Sequence, residues 1–212
     1  MKKLIVLSLL ACLFTTGSFG QSAKEYFYRG LAKMDKEDYN GAISDFTKSI
    51  EKDASVPVAF FNRGLAKLKI DDNWGAITDF TRAIELNPKD GDSYSSRGNA
   101  KLYLKKYTEA IKDYDMAIRL NPKNDLAFSN RAKTKLNMED YAGAIGDYSL
   151  AIELNSNNSQ SFHNRGICYH VLGEKKLGCN DFKKAQRLLK SASDDEDGLK
   201  DVEELIEEYC KE

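Results

Sequence analysis

The residues able to do chemistry in this chain are few, and their spacing assembles no reaction centre. The two histidines, His163 and His170, are seven apart. On one helical face that places them about 10 Å apart along the axis, at about 1.5 Å per residue. Zinc ligands stand about 2.0 Å from their metal, so this pair cannot share an ion. No nucleophile is set beside a base, and the glycines are scattered instead of gathered into a phosphate loop. Four cysteines occur, Cys12, Cys168, Cys179 and Cys210; the first lies in an N-terminal leader, which leaves an odd number for the mature chain and at least one thiol unpaired. These readings predict a protein that is not an enzyme and carries no metal and no cofactor.

The elements that hold these residues follow from self-similarity. A period of 34 residues runs through the chain, with units at 23–56, 57–90, 91–124, 125–158 and 159–192 aligning without a gap. Their eighth residue is small (Gly30, Gly64, Gly98, Ala132, Gly166), as is their twentieth (Ala42, Ala76, Ala110, Ala144, Gly178). Aromatic residues hold the fourth place (Tyr26, Phe60, Tyr94, Phe128, Phe162) and the twenty-fourth (Phe46, Phe80, Tyr114, Tyr148, Phe182). Small residues let two helices approach, large ones fill the space beside the contact, and Pro88 and Pro122 stop the second helix of their units. This pattern resembles the tetratricopeptide repeat over about four fifths of the chain. The resemblance implies an all-α solenoid of five helix-turn-helix repeats over residues 21–192. A last stretch at 193–212, with Leu199, Val202, Leu205, Ile206 and Tyr209 at helical spacing, reads as a capping helix over the face a sixth repeat would have met. Acidic residues at 194–197 favour its N-terminal dipole.

One departure from the family pattern recurs. The seventh residue is Arg29, Arg63, Arg97, Arg131 and Arg165, and the twenty-third is Asp45, Asp79, Asp113, Asp147 and Asp181. In an antiparallel hairpin turning at the fifteenth residue these two positions lie level. The same Asp is level with the Arg of the next unit, 18 residues on, so a ladder of structural ion pairs is expected. Level positions also bear on the cysteines. With helices at 174–190 and 198–211 antiparallel, Cys179 falls beside Cys210; Cys168 falls beside Cys179 across the turn near Gly173. The first pairing ranks first, the second next, and three buried thiols third. The ending resembles exported envelope tetratricopeptide proteins of Gram-negative bacteria, which pair a Cys in the last repeat with a Tyr-Cys near the C-terminus.

The first twenty residues are of another kind: Lys2 and Lys3, an apolar run at 4–14, and Ser18-Phe19-Gly20 before Gln21. This reads as a signal peptide ending at residue 20, and eleven residues are too few to span a bilayer, which takes about 20. Export to the periplasm or cell envelope is expected; secretion and lipid anchoring through Cys12, in the lipobox-like Leu9-Leu10-Ala11-Cys12, are the alternatives. Lys and Arg number 32 against 33 Asp and Glu, with no basic block, so no nucleic-acid partner is implied. The partner is expected to be a protein or peptide, and no integral membrane span is expected in the mature chain.

Where it would bind follows from the family resemblance, in which the second, fifth, sixth, ninth, twelfth and thirteenth residues of each unit face a concave groove. In the first two units these include Phe27, Tyr28, Leu31, Met34, Phe61, Leu65 and Leu68, an apolar floor that core packing is not expected to require, with Asn62 beside it. Further on they are Ser95, Asn99, Tyr103, Asn130, Lys133, Asn137, His163, Asn164 and His170. A partner would anchor an apolar side chain among the former while Asn62, Asn99 and Asn130 hold its backbone. The clamp of two Lys, two Asn and one Arg with which cytosolic relatives hold a chain terminus is absent: Asn99 and Asn130 match its asparagines, but Ser95, Gln160 and Asn164 stand where its cations should be, and in the first three units Phe27, Leu31, Asp92 and Ser96 stand at its places and only Asn62 matches. The alternative function is a structural subunit of an envelope assembly that uses the outer surface or the ends.

Overall fold

The computed structural model of the protein describes residues 22–192 and 196–210. The leader at 1–20, its cleavage site, Cys12 and residues 193–195, with the first two acidic residues of the cap, lie outside the described residues. Eleven helices and no strand occur among those described. They form five hairpins: α1 (Ala23–Met34) with α2 (Tyr39–Lys52), α3 (Pro57–Lys69) with α4 (Asn73–Leu86), α5 (Gly91–Tyr103) with α6 (Tyr107–Leu120), α7 (Asp125–Asn137) with α8 (Tyr141–Leu154), and α9 (Ser159–Val171) with α10 (Lys175–Ala192). A single helix, α11 (Glu196–Tyr209), follows. Each hairpin packs on the next, and α11 packs on α10.

The helix ends are written locally. Ser22 and Glu25 make a reciprocal capping box at the start of α1, and Pro57 opens α3, where a missing N–H removes no intrahelical bond. Asp38, Asp72 and Asp140 accept from the backbone N–H of Gly41, Gly75 and Gly143 and so cap the second helices. Between repeats, Asn87, Asn121 and Asn155 accept from the backbone N–H two residues on, which closes the turn and ends the helix before it.

Inside each hairpin the turn passes through the left-handed region at its fifteenth residue, with φ near 60° at Glu37, Asp71, Lys105 and Glu139 and 84° at Gly173. Only the last has the residue type that adopts this conformation without steric strain. Glu139→Gly is therefore expected to raise stability by about 0.5–1 kcal/mol, the left-handed penalty less the extra chain entropy of glycine. Gly173→Ala should lower it by about 1 kcal/mol. Urea midpoints of the two variants check the pair, and a destabilised Glu139→Gly would mean the Glu139 side chain contributes more than its backbone strains.

The core is a column of aromatic rings set against glycines. Phe46, Phe80, Tyr114 and Tyr148 are fully buried and Phe182 nearly so. A Cβ added to Gly30, Gly64 or Gly98 would stand 2.6–2.7 Å from the facing ring, so the ring can lie on the neighbouring helix only because the eighth residue lacks one; the fourth unit fits Ala132 against Tyr148 instead. At the C-terminal end Phe162, Phe182, Ala185, Leu189 and Val202 form one cluster, flanked by Leu199, Leu205, Ile206 and Tyr209 of α11. α10 continues to Ala192, into the 191–197 stretch read as loop, and gives α11 a longer partner. Glu203 accepts from Gln186 and pairs with Lys190. Cys179 and Cys210 form a disulfide with Cα atoms 5.5 Å apart, and Cys168 is free and buried. Burial pushes the Cys168 thiol up to about 11.

Candidate functional site: the groove and its supporting ion pairs

Behind the groove, all five Arg residues grip the Asp 16 residues on. Nε and Nη2 each donate to one carboxylate oxygen, and in the second to fifth units at 2.6–2.9 Å. The five Asp side chains are buried. Each guanidinium also lies over the aromatic ring three residues before it, 4.8–5.6 Å from the centroid. A second cation, unforeseen in the sequence reading, completes the site in four units: Lys33, Lys67, Lys101 and Lys135 reach the same carboxylates at 2.8–2.9 Å. The fifth unit has Tyr169 at that place, and Arg165 lies over its ring. Hydrogen bonding from Arg29, helped by Lys33 and opposed by burial, holds the Asp45 carboxyl at about 2.

The expected link from each Asp to the Arg of the next unit is not made. Its two oxygens are already occupied within its own hairpin. The next Arg instead uses Nη1 to reach the residue two further on, Thr47 from Arg63, Thr81 from Arg97, Asp115 from Arg131 and Ser149 from Arg165, at 2.6–3.1 Å. The ladder is real in its rungs and displaced by two residues in its links.

In the groove, the structure corrects the apolar floor. Phe27, Leu31 and Met34 pack half-buried on Ala42, Phe46 and Ala66, and Phe61, Leu65 and Leu68 on Ala76, Phe80 and Ala100. Core packing does use them; Tyr28 alone of the seven is exposed, at 62%. The reason lies one layer down. Where the buried ring is Phe46 or Phe80 it presents a hydrocarbon edge, covered by Phe27 and Leu31 or by Phe61 and Leu65. Where it is Tyr114 the buried hydroxyl donates to Asn99 Oδ1 at 2.7 Å. The change from apolar to polar along the groove follows the change from Phe to Tyr in the core.

Asn99 Oδ1 also accepts from Asn130 Nδ2 at 2.9 Å. The two amides thus form a fixed pair that leaves Asn99 Nδ2 and Asn130 Oδ1 for other partners. A depression of about 250 Å³ lies on one side, lined by Asn99, Leu102, Tyr103, Lys105, Tyr107, Asn130, Lys133 and Asn137. Another of about 220 Å³ lies on the other, lined by Phe61, Asp92, Ser95, Ser96, Asn99, Asn124, Leu126 and Asn130. The structure therefore gathers Phe61, Ser95, Asn99, Tyr103, Asn130, Lys133 and Asn137 of the expected groove residues. Leu102, Lys105, Tyr107, Asn124 and Leu126 were not foreseen.

The remaining expected residues sit elsewhere. Asn62 turns its amide N–H back onto the Val58 carbonyl of its own helix, so that donor is not held out to a partner's backbone. Asn164 is buried and accepts from Gln160. His163 stands edge-on to Phe182, in a cleft with Leu189 and Gly198, and burial lowers its pKa. His170 stacks on Tyr209 of α11 at 3.9 Å. α11 occupies this end, so these histidines belong to its docking, while Asn164 lies beside Tyr148.

The fourth unit repeats the Tyr but changes its partner: Lys133 replaces the asparagine, and the buried Tyr148 hydroxyl makes no well-formed hydrogen bond among the described residues, with the Asn164 amide beside it. Tyr148→Phe is expected to stabilise the protein by about 1 kcal/mol, because a sealed-off hydroxyl is desolvated without compensation. Tyr114→Phe should destabilise it by about 1 kcal/mol. Thermal melts of both variants check the opposite signs, and two shifts of the same sign would refute the assignment.

Among the described residues no three His, Cys, Asp or Glu gather as a metal site, and no helix is long and apolar enough to cross a membrane.

Set beside known proteins, the tetratricopeptide repeat family matches residues 91–124, the third unit. The MamA fragment 41-end from Desulfovibrio magneticus RS-1 superimposes with a TM-score of 0.75 at 18% identity, covering 81% of this chain and 97% of that one. YrrB, described as a TPR protein with an unusual peptide-binding site, gives 0.68 at 17% identity, covering 87% and 93%. Both likenesses are of fold. The first TPR of Spaghetti (RPAP3), bound to the HSP90 peptide SRMEEVD, gives 0.55 at 30% identity, covering 56% of this chain and 94% of that one. No curated protein matches the sequence.

Proposed function

This chain belongs to the tetratricopeptide-repeat family, whose members are protein-interaction scaffolds and not enzymes, and we propose that it is an exported adaptor holding an extended segment of a partner protein over the Asn99 and Asn130 pair. The observation that carries this is the locked geometry of the two amides. Tyr114 and Asn130 together saturate Asn99 Oδ1, so the free donor on one amide and the free acceptor on the other are presented in a fixed order, as one residue of extended backbone requires. The first TPR of Spaghetti (RPAP3), bound to the HSP90 peptide SRMEEVD, supports peptide binding by a domain of this family. The export half of the proposal rests on the leader at 1–20, and intact-mass analysis of the mature N-terminus tests it: a chain that retains Met1 defeats it, and one that begins with a lipidated Cys12 replaces it with an anchored form.

Asn130→Ala is the test of the site, because it leaves Tyr114 bonded to Asn99 while removing both the outward acceptor and the donor that locks the pair. The helical circular dichroism should be unchanged, and affinity for a partner recovered from envelope extracts should fall by about 2 kcal/mol, roughly 30-fold. Unchanged affinity would move the site to the outer surface or the ends and favour the structural-subunit reading.

A further inference from the structure

We infer that the depression lined by Lys105 and Lys133 is a subsite for one acidic side chain, Asp or Glu, of the bound segment; this rests on the groove reading above. Its lining contains two lysines, two tyrosines and three asparagines and no carboxylate, in a chain whose formal charge is −1. The lysine that recurs four residues after each Arg, at Lys33, Lys67, Lys101 and Lys135, is consumed by an Asp. Lys105 and Lys133 make no salt bridge among the described residues. The depression across the amide pair is the reverse, with Asp92, Phe61 and Leu126 and no cation. A segment lying over Asn99 and Asn130 is thus read with a sign on each side: an acid towards Lys133, an apolar or basic residue towards Phe61.

Lys133 also has no role in the fold that accounts for it. In the first two units its place is taken by Leu31 and Leu65, which cover the buried ring, and in the third by Asn99, which satisfies the buried hydroxyl. Lys133 does neither, and the Tyr148 hydroxyl beneath it makes no well-formed hydrogen bond among the described residues. Lys105 is held on the rim by the left-handed turn, where φ is 58°. Neither lysine stands where the clamp that holds a chain terminus in the cytosolic relatives has a cation: Lys133 holds the ninth place, an asparagine's there, and Lys105 lies in the turn. The ligand here is a side-chain carboxylate within a segment.

The experiment is affinity selection of the full mature chain against a synthetic library of random nonapeptides, N-acetylated and C-amidated so that no terminal charge contributes. Retained peptides should be enriched in Asp or Glu at one position, and replacing that acid by its amide in the best peptide should weaken binding about tenfold. Lys133→Met keeps an unbranched chain at the site and should give the same loss. Combined with the amide peptide it should add nothing further. Selection without acidic preference, an acid-to-amide change within twofold, or a loss undiminished in Lys133→Met overturns the subsite. The groove reading is judged separately by the amide peptide, which should lose affinity for Asn130→Ala. If it does not, the groove fails and not merely its acidic subsite. Melting curves of each variant matched to the parent exclude loss of fold.

Discussion

Asp113→Ala should lower unfolding stability by about 3–5 kcal/mol, far more than truncation of an exposed carboxylate. Asp113 is 4% exposed, and Arg97 and Lys101 converge on it. Truncation strands two partly buried cations, and it is the stranding that costs, since an intact buried pair is close to neutral against a well-packed apolar replacement. Two controls separate this from a generic effect. Asp115, also bonded to an arginine but 45% exposed in its side chain, should matter by about 0–1 kcal/mol when changed to Ala. Asp181, whose unit lacks the lysine, strands one cation and should fall between. Urea titrations of the three variants give the order, and a loss at Asp113 no larger than at Asp115 would remove the ion pairs from the account of stability. In the first unit the same interaction has a pH signature. Asp45 is depressed from the ordinary 3.8 to about 2. Its contribution is therefore fully present above about pH 4 and is lost as the pH falls towards 2.

Reducing the Cys179–Cys210 bridge is the second large expected effect. The bridge spans 31 residues, and constraining a loop of that size is worth about 3–4 kcal/mol on the chain-entropy account. In a solenoid the loss falls on the terminus, because each element leans only on its neighbours. α11 has α10 alone as its main support. Reduction, or Cys210→Ser, should raise amide exchange throughout α11 by about 100-fold or more while leaving α1 to α8 unchanged, and should expose Val202 and Phe182. Peptide mapping without reductant should find Cys168 alkylated only after unfolding, as its burial and raised pKa require. Protection of α11 that survives reduction would show that Leu199, Val202 and Ile206 hold it without the bridge.

Much of the scaffold could be read from the sequence because it depends on spacing within one hairpin. The turn at the fifteenth residue, the level Arg and Asp, and small residues opposite rings are consequences of a period and a fold-back. What escaped depends on valence and on layers. The lysine four residues after each Arg recurs at Lys33, Lys67, Lys101 and Lys135, but nothing in its own helix says that a carboxylate with two oxygens will accept it and thereby turn away the next Arg. The floor at Phe61 and Leu65 looked free because groove positions were read without asking which ring lay beneath. Pairing the ninth residue with the twenty-fourth, Leu with Phe and Asn with Tyr, was the available signal. The histidines were misplaced because a period has no term for the helix that ends it, and α11 lies against what would otherwise be open groove.

The link from each Arg to the twenty-fifth residue of the preceding unit has a consequence for how such a gene can change. Thr47, Thr81, Asp115 and Ser149 are all acceptors, so the junction before any of the later hairpins accepts the end of any earlier one. If recombination deleted 91–124, Arg131 would meet Thr81 in place of Asp115 and the column of rings would close up. Asn130 would then face Leu65 where Asn99 had been. Unequal crossing-over can therefore lengthen or shorten this protein at little risk to its folding, while each such event rewrites what the groove can hold.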